Sequence, residues 1–75
     1  MDSGAAEASA RFGANMRSAR EATGLSQEKF AQQAGVHRTY IGSLERGKHS
    51  PSLWTIVRIA RELGVPAQSL LDGIE

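Results

Sequence analysis

Apolar residues recur along this chain at helical rather than strand spacing. Phe12, Met16 and Ala19 stand at i, i+4 and i+7 in an alanine- and arginine-rich stretch, residues 8–23, which puts them on one helical face. Ser26 has the chemistry of an N-cap for a second helix reaching about Ala34, with Phe30, Ala31 and Ala34 turned one way. Lys29 rather than Glu stands three residues beyond that cap, so no capping box forms, although Glu28 in the first turn suits the helix dipole. Ile41 and Leu44 are the inward pair of a third helix over about 37–46. Ser52 can cap a fourth helix through Leu63, on which Leu53, Ile56, Val57 and Ala60 form a broad apolar stripe. Pro66 can open a last short helix containing Leu70 and Leu71. Gly24, Gly35, Gly47 and Gly64 each close one of the first four stretches, where helix C-termini favour a residue tolerant of positive φ. Residues 1–7 offer nothing to bury and are expected to be a disordered tail. With no strand pattern or repeat, the chain reads as all-α: a compact domain of five short helices over residues 8–75.

Composition narrows what such a domain can do. Seventy-five residues leave room for one fold, and 11 of the 30 apolar positions are alanine. The 19 larger apolar side chains fill a helical core but not a two-layer α/β enzyme. The absence of cysteine excludes a disulfide framework, a thiolate zinc site, an iron–sulfur cluster and a cysteine nucleophile. No apolar run approaches the roughly 20 residues of a membrane span, and the opening MDSGAAEASA is neither basic nor followed by an apolar stretch. The expected compartment is the cytoplasm. The net charge is only +1, but its excess lies in residues 25–50, where Lys29, Arg38, Arg46 and Lys48 face only Glu28 and Glu45. That argues against a strongly cationic coat protein and for one locally basic face.

Residues 26–46 form the informative unit: helix, tight glycine turn, helix. A link of only Gly35 and Val36 forces the two helices to cross steeply, with Ala31, Val36, Ile41 and Leu44 locking the corner. The second helix is polar outside, carrying Arg38, Thr39 and Ser43 beside Tyr40. A helix that exposes donors from its N-terminal turns can enter a major groove and touch base edges. Gly24-Leu25-Ser26-Gln27-Glu28, Ala31, Gly35-Val36, Arg38-Thr39-Tyr40-Ile41 and Leu44-Glu45-Arg46-Gly47-Lys48 together resemble the helix-turn-helix family of phage repressors and Cro proteins, the Xre-like regulators. Pro51-Ser52-Leu53, Ile59-Ala60 and Leu63-Gly64-Val65 continue the likeness, which covers about residues 12–72. Within the family, Arg38-Thr39-Tyr40 is similar to restriction–modification controller proteins.

The resemblance implies a role for each matched position. Arg38, Thr39, Tyr40 and Ser43 would meet base edges, arginine taking guanine in a bidentate pair. Gln27, His37, Arg46, Lys48 and His49 would hold phosphates. Arg20 and Glu45 would form an ion pair between the first and third helices, a scaffold element rather than a DNA contact. Such proteins bind double-stranded DNA as twofold dimers, and Trp54, Leu71 and Ile74 are the candidates for the interface. Trp54 admits a second reading, as a lid on the edge of the core. Gly42, inside the recognition helix, admits two as well: close approach of that face to the DNA backbone, or neutral drift at an exposed position.

Other chemistries find no support in these residues. His37 and His49 stand twelve positions apart without cysteine or a carboxylate at ligand spacing, so no metal site is expected. Ser26, Ser50 and Ser52 are caps and turn residues with no base to activate them. Arg58 and Arg61 read as surface residues. No cofactor and no small-molecule ligand is indicated, and nothing suggests an enzyme. The expectation is a sequence-specific, homodimeric transcriptional regulator on an inverted repeat. The alternatives are an autoregulating antitoxin or controller subunit, and a protein-interaction module that keeps the fold without DNA binding.

Overall fold

The computed structural model describes residues 3–75, which form four α-helices and one 3₁₀ helix. These are α1 (Ser3–Thr23), α2 (Gln27–Ala34), α3 (Arg38–Glu45), α4 (Leu53–Leu63) and the 3₁₀ segment Ala67–Leu71. No strand occurs among the described residues. Every element contributes to one core, in which Phe12, Met16, Phe30, Ile41, Leu44 and Leu70 are the largest fully buried side chains.

The ends of α2, α3 and α4 follow the expected chemistry. The Ser26 and Ser52 hydroxyls accept the amides of Lys29 and Thr55, each at 3.1 Å. All three helices close with the same paired hydrogen bonds. In α2 the Val36 amide donates to Ala31 O at 3.0 Å and the Gly35 amide to Gln32 O at 3.3 Å. This closure demands a left-handed residue, and Gly35 supplies φ +72°. The link into α3 can then be only three residues long, His37 having moved from the expected helix into the link, and Arg58 of α4 ties the corner down by donating from Nη2 to the Ala34 carbonyl. Arg58 is therefore a structural tie rather than only a surface charge. In α1, Thr23 changes the pattern. Its hydroxyl donates to Arg20 O at 2.6 Å and accepts the Leu25 amide at 3.2 Å, taking over both groups left bare at that end.

Four expectations are corrected. The first helix starts at Ser3, so residues 3–7 extend it instead of forming a disordered tail; residues 1–2 of that tail lie outside the described residues. Gly4-Ala5-Ala6-Glu7 holds no proline, and adding a turn to an existing helix needs no new nucleus. The fifth element is a 3₁₀ turn, not an α-helix. It is too short to gain from α-geometry, and its later carbonyls are claimed from outside: Asn15 Nδ2 donates to Leu70 O at 3.0 Å and to Asp72 O at 2.9 Å. On α4 the buried stripe is Ile59, Ala60 and Leu63, with Ile56 half-buried, whereas Leu53 is 76% exposed. Both sets keep i, i+3, i+4, i+7 spacing, but Leu53 is the first residue of α4. Ile74, expected as an interface candidate, is half-buried against this chain's own core.

Candidate nucleic-acid interface

The face built by α2 and α3 begins with a buried charge. Arg20 is 7% exposed and grips Glu45 through two hydrogen bonds, Nε to Oε2 at 2.7 Å and Nη2 to Oε1 at 3.0 Å. Its Nη1 donates to the Leu25 carbonyl at 2.8 Å, so one guanidinium joins α1, the loop before α2, and α3. These bonds to Glu45 hold the Arg20 pKa above arginine's ordinary value against the opposing effect of burial. Gln27, in the first turn of α2, completes the cluster by donating from Nε2 to Glu45 Oε1 at 3.0 Å. The pairing of Arg20 with Glu45 was legible from the resemblance. The bond from Gln27 was not, because that residue was read only as a phosphate contact.

This network shapes the electrostatics outside it. Glu45 is the only acid of α3, and its side chain is 2% exposed. Its charge is matched inward by Arg20. Arg38, Arg46 and Lys48 are exposed on α3 and just beyond it, so this part of the surface presents cations without a competing carboxylate from the same helix.

The expected base-reading residues separate into two groups. Arg38 and Thr39 are exposed in the first turn of α3, and Ser43 lies half-buried one turn later. Tyr40, about 100° round the helix from Thr39, is half-buried against the core instead. Its ring centroid lies 6.2 Å from that of His49, which draws the loop after α3 against the helix. His37 is the N-cap of α3 but makes no side-chain capping bond, and its side chain is exposed. His49 is likewise exposed.

Gly42 is buried, which removes the reading of neutral drift at an exposed position. A Cβ built on it would lie 3.0 Å from Arg46 Nη1 and 3.7 Å from Gln27 Oε1. Gly13 of α1 and Gly47 were overlooked as packing residues. A Cβ on Gly13 would stand 2.4 Å from the Leu44 carbonyl oxygen, and one on Gly47 would meet the Ala10 Cα at 2.8 Å. Their signal in the sequence was a glycine inside an apolar-periodic helix and another at its expected partner's end.

Of the candidate interface residues, Trp54 is 60% and Leu71 39% exposed, and Arg61 lies over the Trp54 ring at 5.5 Å from its centroid. Trp54 is thus not a lid on the core. Leu53 joins it as an exposed apolar residue, although its helical spacing predicts an inward position. Among the described residues no group of three His, Cys, Asp or Glu is placed to hold a metal ion, and no helix is long and apolar enough to cross a membrane.

Comparison with known proteins accounts for this geometry. The helix-turn-helix family model matches residues 16–70. Control protein C.MunI from a Mycoplasma species is 42% identical over 66 residues, covering 87% of this chain and 89% of its own. Control protein C.BamHI of Bacillus amyloliquefaciens is 44% identical over 62 residues, covering 81% and 76%. Among solved structures, the restriction-modification controller protein C.AhdI from Aeromonas hydrophila superposes with a TM-score of 0.76 at 39% identity, over 81% of this chain and 92% of that one. A capped α2, a two-helix corner turned at Gly35 and a polar α3 thus lie within the stretch that the family model matches, and this chain belongs to the helix-turn-helix family of DNA-binding transcription regulators.

Proposed function

We propose that the protein is a controller-type regulator that binds an inverted-repeat operator as a homodimer, with α3 in the major groove, and controls a restriction–modification operon that includes its own gene. The observation that carries this reading is the outer face of α3, where Arg38 and Thr39 are free while the helix's one acid is turned inward. Arg38, Thr39 and Ser43 would read base edges, Tyr40 contributing at the margin through its ring. Gln27, His37, Arg46, Lys48 and His49 would hold phosphates on either side. The likeness to the controller protein of Aeromonas hydrophila supports the operon assignment. Action on the chromosome would place it in the cytoplasm.

Selection of bound sequences from a random duplex library at about 150 mM salt tests the reading. The expected result is a twofold-symmetric motif with half-sites about 34 Å apart. Enrichment of a single asymmetric half-site would rule out the dimer. Arg38→Ala should then lose about 1–3 kcal/mol of discrimination at one base pair while leaving the melting transition unchanged. Equal loss on all sequences would instead make Arg38 a phosphate contact.

The second copy is expected on the exposed apolar patch of α4, where Leu53 and Trp54 are large, unpartnered by the core and adjacent. Replacing both with serine should shift sedimentation at micromolar concentration from dimer to monomer while the helical circular dichroism stays unchanged. Trp54 is the only tryptophan, so its fluorescence reports the same equilibrium directly.

A further inference from the structure

We propose that Gly42 is a positioning residue: a notch in the surface of α3 that receives the Arg46 guanidinium and so orders Arg46 for one phosphate of the DNA. The inference rests on the reading of Arg46 as a phosphate contact. Arg46 is exposed and stands at the end of α3, four residues after Gly42, so its side chain leans back over that position. Its Nη1 lies only 3.0 Å and its Cζ 3.9 Å from the place a Cβ on Gly42 would occupy. The side chain is folded back along its own helix by one turn.

Two features explain the fold-back. Gln27 spends a carboxamide N–H on Glu45, and its Oε1 lies on the notch side, 3.7 Å from that same Cβ position. A carbonyl oxygen there favours a guanidinium. The lack of a side chain at position 42 leaves the surface of α3 open for it, although Gly42 itself is buried. The buried Glu45 therefore fixes Gln27, the notch beside Gln27 leaves room for the folded-back Arg46, and the arginine reaches the phosphate with fewer rotamers to lose on binding. A glycine in a helix interior weakens that helix, so its presence here exchanges helix stability for an ordered cation.

The test compares Gly42→Ala, Gly42→Met, Arg46→Ala and Gly42→Met with Arg46→Ala. Each is titrated with one duplex taken from the random-library selection, at several salt concentrations, and melted separately. Alanine meets only the tip of a flexible arginine, and methionine is an unbranched helix former, so both single variants at position 42 should melt no lower than the parent. Gly42→Met should bind roughly tenfold weaker, with its salt slope smaller by about one, as expected for one phosphate contact. Arg46→Ala should do the same, and the double variant should be no weaker than Arg46→Ala alone. Gly42→Ala should fall between the parent and Gly42→Met.

Parent-like binding by Gly42→Met beside a weakened Arg46→Ala would overturn the notch and leave the phosphate contact standing. A further loss in the double variant, equal to that of Gly42→Met alone, would also overturn it, showing that position 42 meets the DNA directly. Parent-like binding by Arg46→Ala would remove the phosphate contact itself, and the inference with it.

Discussion

Arg20→Ala should cost the domain about 3–5 kcal/mol, because it leaves the Glu45 carboxylate buried with only the Gln27 amide to satisfy it. Small domains hold about 5–15 kcal/mol in total, so the variant should be substantially unfolded in dilute urea at 25 °C. Urea titration of the parent and variant checks this. A midpoint shift worth less than about 1 kcal/mol would show that water reaches Glu45 once the arginine is gone. The replacement Arg20→Met with Glu45→Leu, which removes both charges, should recover much of the loss. It should not recover DNA binding, since the Leu25 carbonyl and Gln27 then lose their partner. The pH dependence has a definite sign. The folded-state pKa of Arg20 is raised, so the contribution of the cation is present at every pH below arginine's ordinary value and disappears only above the raised one. Raising the pH from neutral to mildly alkaline should therefore leave this part of the stability unchanged.

Gly13→Ala should be the most damaging single-methyl substitution on α1. The added Cβ would stand 2.4 Å from Leu44 O and 2.6 Å from Glu45 O, and both are backbone atoms of the last turn of α3. Neither can swing away as a side-chain tip does, so α1 and α3 must separate. Overpacking of this kind costs about 1–3 kcal/mol, and contact with main chain places it at the upper end. That outweighs the roughly 0.5–1 kcal/mol an alanine gains inside a helix. At about 4–8 °C per kcal/mol for a domain this size, the net loss should lower the melting temperature by roughly 8–20 °C. A variant that melts higher than the parent would mean the two helices have slack. The same change at Gly42, which meets only an arginine tip, is expected to leave the melting temperature unchanged or higher.

The contrast between these two glycines shows where sequence reading succeeds and stops. Residues whose structural role is local could be placed. Ser26 and Ser52 cap the helices they precede, and Gly35, Gly47 and Gly64 end them with positive φ, because capping is a matter of a few neighbouring bonds. The Arg20–Glu45 pair, 25 residues apart, was reached only through family resemblance. Other long-range contacts are not specified by any local pattern. Nothing local distinguishes Gly13, which admits a carbonyl from another helix, from Gly42, which admits an arginine. Asn15 gives no sign that its amide reaches two carbonyls more than fifty residues away. The α4 stripe failed for a related reason: two sets of apolar residues share its spacing, and only tertiary packing chooses between them. At the interface, exposure of Arg38 and Thr39 followed from polarity, whereas Tyr40 turned toward the core because an aromatic ring beside Leu44 has apolar surface to cover.

The Asn15 clasp also sets an order of events. Helices α2 and α3 meet across a three-residue corner and can dock as soon as both have been synthesised. Helix α1 emerges from the ribosome first, yet its partners for Asn15 are the carbonyls of residues 70 and 72. At about 5–20 residues per second, the gap between Asn15 and Asp72 corresponds to several seconds in which α1 exists without its closing contact. The regulator thus acquires its finished shape only when residue 72 is free, and truncated products ending before that point should count as protein without counting as regulator.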